Sequence, residues 1–341
     1  MSDVTASSNG PASSPLVSVM MPVHNGDVYL TEAITSILGQ TFENFEFIVI
    51  DDGSTDKSLE VIRAFERSDT RMKVLSREKK GLVASLNEAI KFSSGQLLAR
   101  MDADDVAHPE RFEKQVEHLA RNPECVVLGT GVIVVDPDGD EICRPTVETE
   151  HRKIDDQLLL NKGGRICHPT VMMRKCTVEA VGGYRPLTPF EDVDLFLRLA
   201  ERGKVANLPE CLLRYRLQLS SISHTIDPSQ REAKRLAVVK SACQRRGLLL
   251  PSGACSSQAD YSARPADCRR EALRRWSYDA ATSGNTRVAL KHGLRALIEA
   301  PLNTGCWWTI SVAVFGARST ERIWRFKRRL FNPRSQPNPP R

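Results

Sequence analysis

Between residues 16 and 119 the chain alternates short apolar runs with longer amphipathic ones, and this alternation limits the fold more than any other feature. The runs that predict strands are residues 16–23, 45–50, 72–75 and 97–101. The segments with apolar side chains at helical spacing are residues 28–38, 59–65, 81–92 and 109–119. Strands joined by helices of this length form crossover units. We therefore predict an α/β fold with an open, mostly parallel sheet flanked by helices.

The alternation loosens after residue 124. Residues 126–135 predict a strand, and the Asp-, Pro- and Gly-rich residues 136–140 predict a hairpin turn. A further helix, strand and helix lead to a strand at residues 211–217, after which the chain is Arg-rich and helical. The predicted domains are a disordered leader at residues 1–15, an α/β domain at 16–226 and a helical basic extension at 227–341.

Charge is distributed unevenly over the 341 residues, although the net charge is only +6. Residues 227–341 hold 22 Lys and Arg against 8 Asp and Glu, whereas residues 1–226 hold 26 against 34. A basic tail on an acidic body favours an anionic partner for the tail. The nine cysteines form no CxxC pair, which argues against zinc and favours a cytoplasmic location. Neither a signal peptide nor an apolar run of about 20 residues is recognisable.

Polar segments follow three of the predicted strands, at residues 22–25, 51–54 and 102–105. In an open parallel sheet, ligands bind beyond the carboxyl ends of the strands, so these segments should lie at one edge. The third segment holds Asp102, Asp104 and Asp105, which repel one another unless a cation lies among them. Carboxylates suit a hard divalent cation that shares its remaining positions with phosphates. The alternative is a polar turn that caps the next helix.

In order and spacing, residues 17–216 resemble the family 2 glycosyltransferases of the GT-A fold. The segments that carry the resemblance are residues 19–25, 50–56, Gly81 with Asn87, residues 101–105 and residues 191–195. The resemblance implies a GT-A domain that uses a nucleotide-sugar donor and commonly inverts the anomeric centre. It also implies a divalent ion, Mn²⁺ or Mg²⁺, as cofactor.

The resemblance assigns Asp104 as the direct metal ligand and Asp102 as a contact of the ribose or of the water bound to the metal. It places His168 near the acceptor side, where the imidazole meets the metal or the diphosphate. The alternative for His168 is a purely structural hydrogen bond. Asp105 is either part of the metal site or the cap of the following helix.

On the nucleotide side, the resemblance assigns Asp52 as the carboxylate that hydrogen-bonds the base, most often uracil. The residues implied for the first nucleotide-facing loop are Pro22, His24 and Asn25. Asp192 matches the catalytic base, which takes the proton of the acceptor hydroxyl. The alternative for Glu191 and Asp192 is capping of an apolar helix by acids in its first turn.

Two departures from the family pattern refine the prediction. The Gln-x-x-Arg-Trp motif of processive synthases is absent, since Arg275-Trp276 lacks a Gln three residues before the Arg. This absence favours an enzyme that adds one sugar per encounter. Gln218 stands where many relatives have a His near the metal, which leaves the third ligand open.

An apolar run near the carboxyl end, residues 307–315, precedes a cluster of Arg and Lys with Trp324 and Phe326 among them. This pattern suits a helix in the interface of an anionic membrane, which would make the protein peripheral at the inner face. The alternative is that the run packs on the catalytic domain and the Arg cluster faces solvent. Nucleic acid is not expected, because no binding motif accompanies the charge.

These features predict an inverting, non-processive, metal-dependent hexosyltransferase. The predicted partners are a nucleotide-diphospho-sugar, UDP-linked, and a glycan or lipid-linked acceptor of cell-surface polysaccharide biosynthesis. The alternatives are a sugar nucleotidyltransferase and a nucleotide-binding module without turnover. A nucleotidyltransferase needs a Gly-rich basic first loop, which this chain lacks. The presence of Asp102, Asp104 and Asp192 argues against a binding module without turnover.

Overall fold

The computed structural model describes residues 14–160, 166–219, 228–251, 265–316 and 319–320. The predicted leader and the Arg cluster after residue 320 lie outside the described residues, apart from residues 14 and 15. The chain forms two compact units. Of the described residues, the first comprises those within 1–132, 146–213 and 233–255, and the second comprises those within 133–145, 214–232 and 256–341. The predicted boundary at residue 227 stays a prediction.

In the part of the chain that the structure describes, nine strands form one mixed sheet, in the order β3-β2-β1-β4-β8-β6-β9-β5 with β7 paired to β6. The strands are β1 Val17–Val23, β2 Phe45–Asp52, β3 Met72–Arg77, β4 Leu97–Arg100, β5 Val106–Ala107, β6 Cys125–Val135, β7 Glu141–Cys143, β8 Met172–Arg174 and β9 Lys204–Arg216. The pairs among β3, β2, β1 and β4 are parallel, whereas β8 pairs antiparallel with β4 and β6. The predicted α/β fold class is confirmed.

Eleven α-helices lie in the described ranges. Those up to residue 200 are α1 Asp27–Leu38, α2 Ser58–Ser68, α3 Leu82–Phe92, α4 Arg111–Arg121, α5 His151–Leu160, α6 Lys175–Ala180 and α7 Glu191–Ala200. The later ones are α8 Pro228–Arg246, α9 Pro265–Thr282, α10 Thr286–Glu299 and α11 Thr304–Phe315. A short 3₁₀ turn, His168–Thr170, precedes β8.

The parallel strands β3, β2, β1 and β4 belong to the first unit. All eight residues of β2 are buried, as expected for an inner strand covered on both faces. Register places Val23 of β1 beside Asp51 of β2, and Met20 of β1 beside Arg100 of β4. The three strands therefore end at the same edge, where the polar segments predicted from the sequence follow them.

Part of α8 belongs to the first unit. Its apolar side chains Val238, Val239 and Cys243 join the core that also contains strand and α7 side chains. At the end of α8, the Arg246 guanidinium contacts Asp155 at 2.6 Å and Glu201 at 3.2 Å. The later part of the helix is thus held by both apolar packing and partly exposed ion pairs.

The second unit contains the hairpin turn between β6 and β7, which confirms the turn predicted at residues 136–140. The buried Asp136 carboxylate accepts hydrogen bonds from the backbone of Asp138 (3.0 Å) and Asp140 (2.9 Å). The Lys291 ammonium of α10 lies 2.5–2.8 Å from all three carboxylates. Lys291 therefore balances much of the charge of the acidic turn, and the Arg295 guanidinium lies 3.8 Å from Asp138 as well.

The helices α9, α10 and α11 pack together in the second unit. Cys306, Thr309, Val312 and Ala313 form the buried side of α11. In the described ranges, no helix combines the length and apolar character needed to cross a membrane.

Candidate functional site

The loops that follow β1 and β2 hydrogen-bond each other. Asn25, at a positive φ of 54°, donates its N–H to Ser54 Oγ (3.1 Å) and accepts from Thr55 N–H through Oδ1 (2.8 Å). The His24 ring Nδ1 lies 3.0 Å from the carbonyl oxygen of Asp52. The structure thus brings together the residues predicted to face the nucleotide: Pro22, at the end of β1, with His24, Asn25 and Asp52.

The Asp52 carboxylate is only 4% exposed and accepts hydrogen bonds from three groups. They are the backbone N–H groups of Lys80 (2.7 Å) and Gly81 (2.8 Å) and the Arg77 guanidinium. Burial raises the pKa of Asp52, but the three hydrogen bonds outweigh it and hold the pKa below its ordinary value. An ionised carboxylate offers about four lone-pair positions, so one remains for an N–H group of a ligand.

The turn after Asp52 requires glycine at position 53. Gly53 has a φ of +69°, and a Cβ there would lie 2.7 Å from the backbone nitrogen of Lys79. Gly53→Ala should therefore lower the free energy of unfolding by about 1–3 kcal/mol, from backbone strain and this clash, and should weaken nucleotide binding. Urea denaturation measures the first effect, and a titration with UDP measures the second.

Gly182→Ala is the matched control, because Gly182 has a φ of +82° but nothing within 4 Å of the added Cβ. It carries the backbone strain without the clash. Equal destabilisation by the two substitutions, with unchanged UDP affinity for Gly53→Ala, would mean that the turn does not depend on this close approach.

The segment after β4 forms the acidic cluster, defined as Asp102, Asp104 and Asp105. One carboxylate oxygen from each lies within 4.8 Å of the others. Among the residues that the structure describes, this is the group that could hold a metal ion. Three oxygen donors at this spacing suit Mn²⁺ or Mg²⁺, so the residues present fit the implied ion.

Two buried arginines lie beneath the acidic cluster. The Arg100 guanidinium, 2% exposed, contacts the Asp102 carboxylate. Arg111 is fully buried and donates from Nη2 to the carbonyl oxygen of Arg100 at 2.8 Å. A buried guanidinium stays charged and needs a carboxylate nearby, so the arginines limit the mutual repulsion of the acids.

The loop after β1 also approaches the acidic cluster. A Cβ added at Gly26 would lie 3.5 Å from Cβ of Ala103, the residue between Asp102 and Asp104. The loop that hydrogen-bonds the Asp52 segment therefore passes close to the segment that carries the acidic cluster.

Asp192 lies in the first turn of α7, where it is half-buried and accepts from Val193 N–H at 2.7 Å. Burial raises the pKa of the Cys167 thiol, and the charges of Asp105, Asp102 and Asp192 raise it further. Burial also raises the pKa of the Tyr184 phenol, with the charges of Asp192 and Asp102 contributing. Asp192 and the acidic cluster therefore act electrostatically on the same two buried groups.

His168 is held by Tyr184 rather than by the acidic cluster. Its Nε2 lies 2.9 Å from the Tyr184 hydroxyl. Burial and the positive charge of Arg100 lower the pKa of His168 well below its ordinary value, so the imidazole is neutral. His168 is not part of the three-carboxylate group, and its assignment as a metal ligand stays a prediction.

Sequence reasoning missed Tyr184, Arg77 and Arg111 as parts of the site. Asn87 holds the Tyr184 backbone through two hydrogen bonds of 2.9 Å, one as donor and one as acceptor. The pair of glycines before Tyr184 was an available signal, since both adopt positive φ. Arg77 and Arg111 gave no such signal, because Arg is usually exposed.

Known proteins similar to this chain are glycosyltransferases. Residues 18–181 match the family model for glycosyl transferase family 2. Over 251 residues the chain is 35% identical to the putative glycosyltransferase EpsE of Bacillus subtilis, covering 70% of this chain and 85% of that protein. It is 33% identical over 210 residues to the O-antigen biosynthesis glycosyltransferase WbnJ of Escherichia coli, covering 60% and 81%.

Among solved structures, S. aureus TarS 1-349 in complex with UDP-GlcNAc is similar with a TM-score of 0.55 and 15% sequence identity. The alignment covers 91% of this chain and 92% of that one. At this identity the likeness concerns the fold alone, and it agrees with the predicted GT-A type. Motifs, sequence relatives and fold agree, and the chain belongs to glycosyl transferase family 2.

Proposed function

We propose that this glycosyltransferase moves a sugar from a nucleotide-diphospho-sugar, UDP-linked, to a glycan or lipid-linked acceptor in cell-surface polysaccharide biosynthesis. Similar proteins are named for such pathways: WbnJ for O-antigen, TuaG for teichuronic acid and AmsE for amylovoran. The proposed enzyme adds one sugar per encounter. It works in the cytoplasm, at the inner face of the membrane where a lipid-linked acceptor is available.

The donor's nucleotide is proposed to bind against the loops after β1 and β2. The ionised Asp52 carboxylate accepts an N–H of the base, which suits the imide of uracil. Pro22, His24 and Asn25 form the wall that faces the nucleotide. The hydrogen bonds of His24 and Asn25 to the Asp52 loop support this role, since they fix both walls before a ligand arrives.

The acidic cluster is proposed to hold Mn²⁺ or Mg²⁺, with Asp104 as direct ligand, Asp102 at the ribose or the bound water, and His168 as the predicted further group. When bound, such an ion supplies Lewis-acid stabilisation of the departing diphosphate. The chain itself contributes the orientation of these groups. Arg100 holds Asp102 from below, and Tyr184 holds His168.

Asp192 is proposed to be the catalytic base. Its carboxylate takes the proton of the acceptor hydroxyl while the hydroxyl oxygen forms a bond to the anomeric carbon. The bond from that carbon to the diphosphate oxygen breaks on the opposite face, so the configuration inverts. Inverting glycosidases use a carboxylate base in the same relation to the attacking oxygen.

One observation carries the proposal: the charges of Asp192, Asp102 and Asp105 all act on the Cys167 thiol. This shared influence on one buried thiol, from the carboxyl end of β4 and from α7, supports a base at Asp192 near a metal site at the acidic cluster.

The proposed activity is tested with a panel of UDP-, GDP- and dTDP-sugars, Mn²⁺, and lipid extract as the source of acceptor. We expect release of nucleoside diphosphate from one donor, dependent on the acceptor. Formation of pyrophosphate from a nucleoside triphosphate and a sugar phosphate would instead indicate a nucleotidyltransferase. Donor binding without turnover across the panel would indicate a binding module.

A further inference from the structure

The helix α11 has an unusual surface for a helix at the outside of a protein. None of its 12 residues is charged, although only one side of it is buried. Trp307 is 51% exposed, and Val314 and Phe315 are 54% and 61% exposed. Because Trp307, Val314 and Phe315 are seven and eight residues apart, they lie on one face of the helix. A surface helix normally presents polar side chains there.

The apolar surface continues onto the turn between α10 and α11. Leu302 in this turn is 95% exposed, and Ile298 at the end of α10 is 80% exposed. The Trp307 indole N–H donates to the carbonyl oxygen of Pro301 at 2.8 Å, which fixes the ring beside the turn. We call these five side chains the apolar face: Ile298, Leu302, Trp307, Val314 and Phe315.

The sequence next to the apolar face is strongly basic. Residues 317–341, which follow α11, contain eight Lys and Arg and one Glu. A partner for this part of the chain must therefore accept apolar side chains and carry negative charge. An anionic lipid bilayer offers both, whereas nucleic acid offers only the charge.

The length of α11 restricts how it can meet a bilayer. Its 12 residues span about 18 Å, which is shorter than the hydrocarbon core of about 30 Å. The helix can therefore lie along the interface but cannot cross it. The Trp307 ring suits the membrane interface, because its N–H already donates to a carbonyl oxygen and its apolar surface is exposed.

We propose that the apolar face of α10 and α11 docks on an anionic lipid surface, with the basic residues 317–341 supplying the electrostatic attraction. Apolar insertion and basic charge are two signals, and stable peripheral binding generally needs two. The binding is a property of the second unit and does not depend on the proposed sugar transfer. It can therefore be tested without donor or acceptor.

Flotation of the full chain with vesicles is the direct experiment. Vesicles of phosphatidylcholine with phosphatidylglycerol should carry the protein, and vesicles of phosphatidylcholine alone should carry much less. Raising the salt from about 0.1 M to about 1 M shortens the screening length from about 10 to about 3 Å and should weaken the binding. Equal binding to both vesicle types would overturn the electrostatic part of the proposal.

Leu302→Asp should reduce the vesicle partition coefficient by at least about tenfold, because it places a charge in the interface. Leu249→Asp is the matched control, because Leu249 is 93% exposed and lies outside the apolar face. This variant should bind vesicles as the native protein does. Native binding by Leu302→Asp would overturn the proposal.

Two further results would assign the apolar face to another occupant. A dimer of the native protein in solution that Leu302→Asp dissociates would show that a second copy covers the face. A drop in thermal stability for Leu302→Asp but not for Leu249→Asp, with vesicle binding unchanged, would show that the chain itself covers it.

Discussion

Asp192→Asn lowers kcat by about 10²–10⁴-fold, the usual contribution of a positioned base, while the affinity for the donor stays within about twofold of the native value. The substitution keeps the size of the side chain and removes its ability to accept the hydroxyl proton. The N–H of Val193 retains an acceptor in the amide oxygen, so the first turn of α7 keeps its hydrogen bond. Initial rates over a range of donor concentrations separate the two effects.

Asp156→Asn is the matched control for this prediction, because Asp156 is an exposed residue of α5. It makes the same chemical change without touching the site and should leave kcat unchanged. Native kcat in Asp192→Asn would remove Asp192 from the mechanism. A large loss of donor affinity with little change in kcat would make it a binding residue instead.

Asp104→Asn should weaken Mn²⁺ binding by at least about 10–100-fold. Loss of groups that merely orient metal ligands already costs that much, and Asp104 is proposed as a direct ligand. Titration of free Mn²⁺ by its paramagnetic resonance signal measures this without turnover. Donor affinity measured with Mn²⁺ present should fall in parallel, because the diphosphate shares the ion.

The same Asp156→Asn variant serves as the control for Mn²⁺ binding, since it removes one negative charge elsewhere in the first unit. A smaller loss of Mn²⁺ affinity that is equal in both variants and sensitive to salt would reflect net charge alone. Unchanged Mn²⁺ affinity in Asp104→Asn, or donor affinity that is indifferent to Mn²⁺ in the native protein, contradicts the metal assignment.

The first four strands could be predicted from the sequence because each is a compact apolar run. Predicted residues 45–50, for example, became β2, Phe45–Asp52. The last strand was predicted too short, at residues 211–217, whereas β9 is Lys204–Arg216. Its first half contains Asn207 and Pro209, which signal turns. Asn207 is nevertheless buried and donates to the carbonyl oxygen of Glu148 at 2.7 Å, a contact that only the tertiary fold supplies.

The site shows the same division between local and tertiary information. The acidic cluster could be located because strand ends in a parallel sheet share an edge, and this needs only the order of elements. The burial of Arg100 beside Asp102 could not be predicted, because an Arg in the sequence gives no sign of whether its side chain is buried. Likewise, the pairing of His168 with Tyr184 joins residues 16 positions apart across a turn, and no periodicity encodes it.

In the proposed arrangement, carboxylates from separate segments surround one bound diphosphate, and Asp192 takes the proton of the acceptor hydroxyl. A crystal structure of the protein with UDP and Mn²⁺ tests it most directly. We expect the base at Asp52, the ion at Asp104, and Asp192 across an open volume from the diphosphate. Binding of UDP at a surface that includes neither Asp52 nor the acidic cluster would contradict the account.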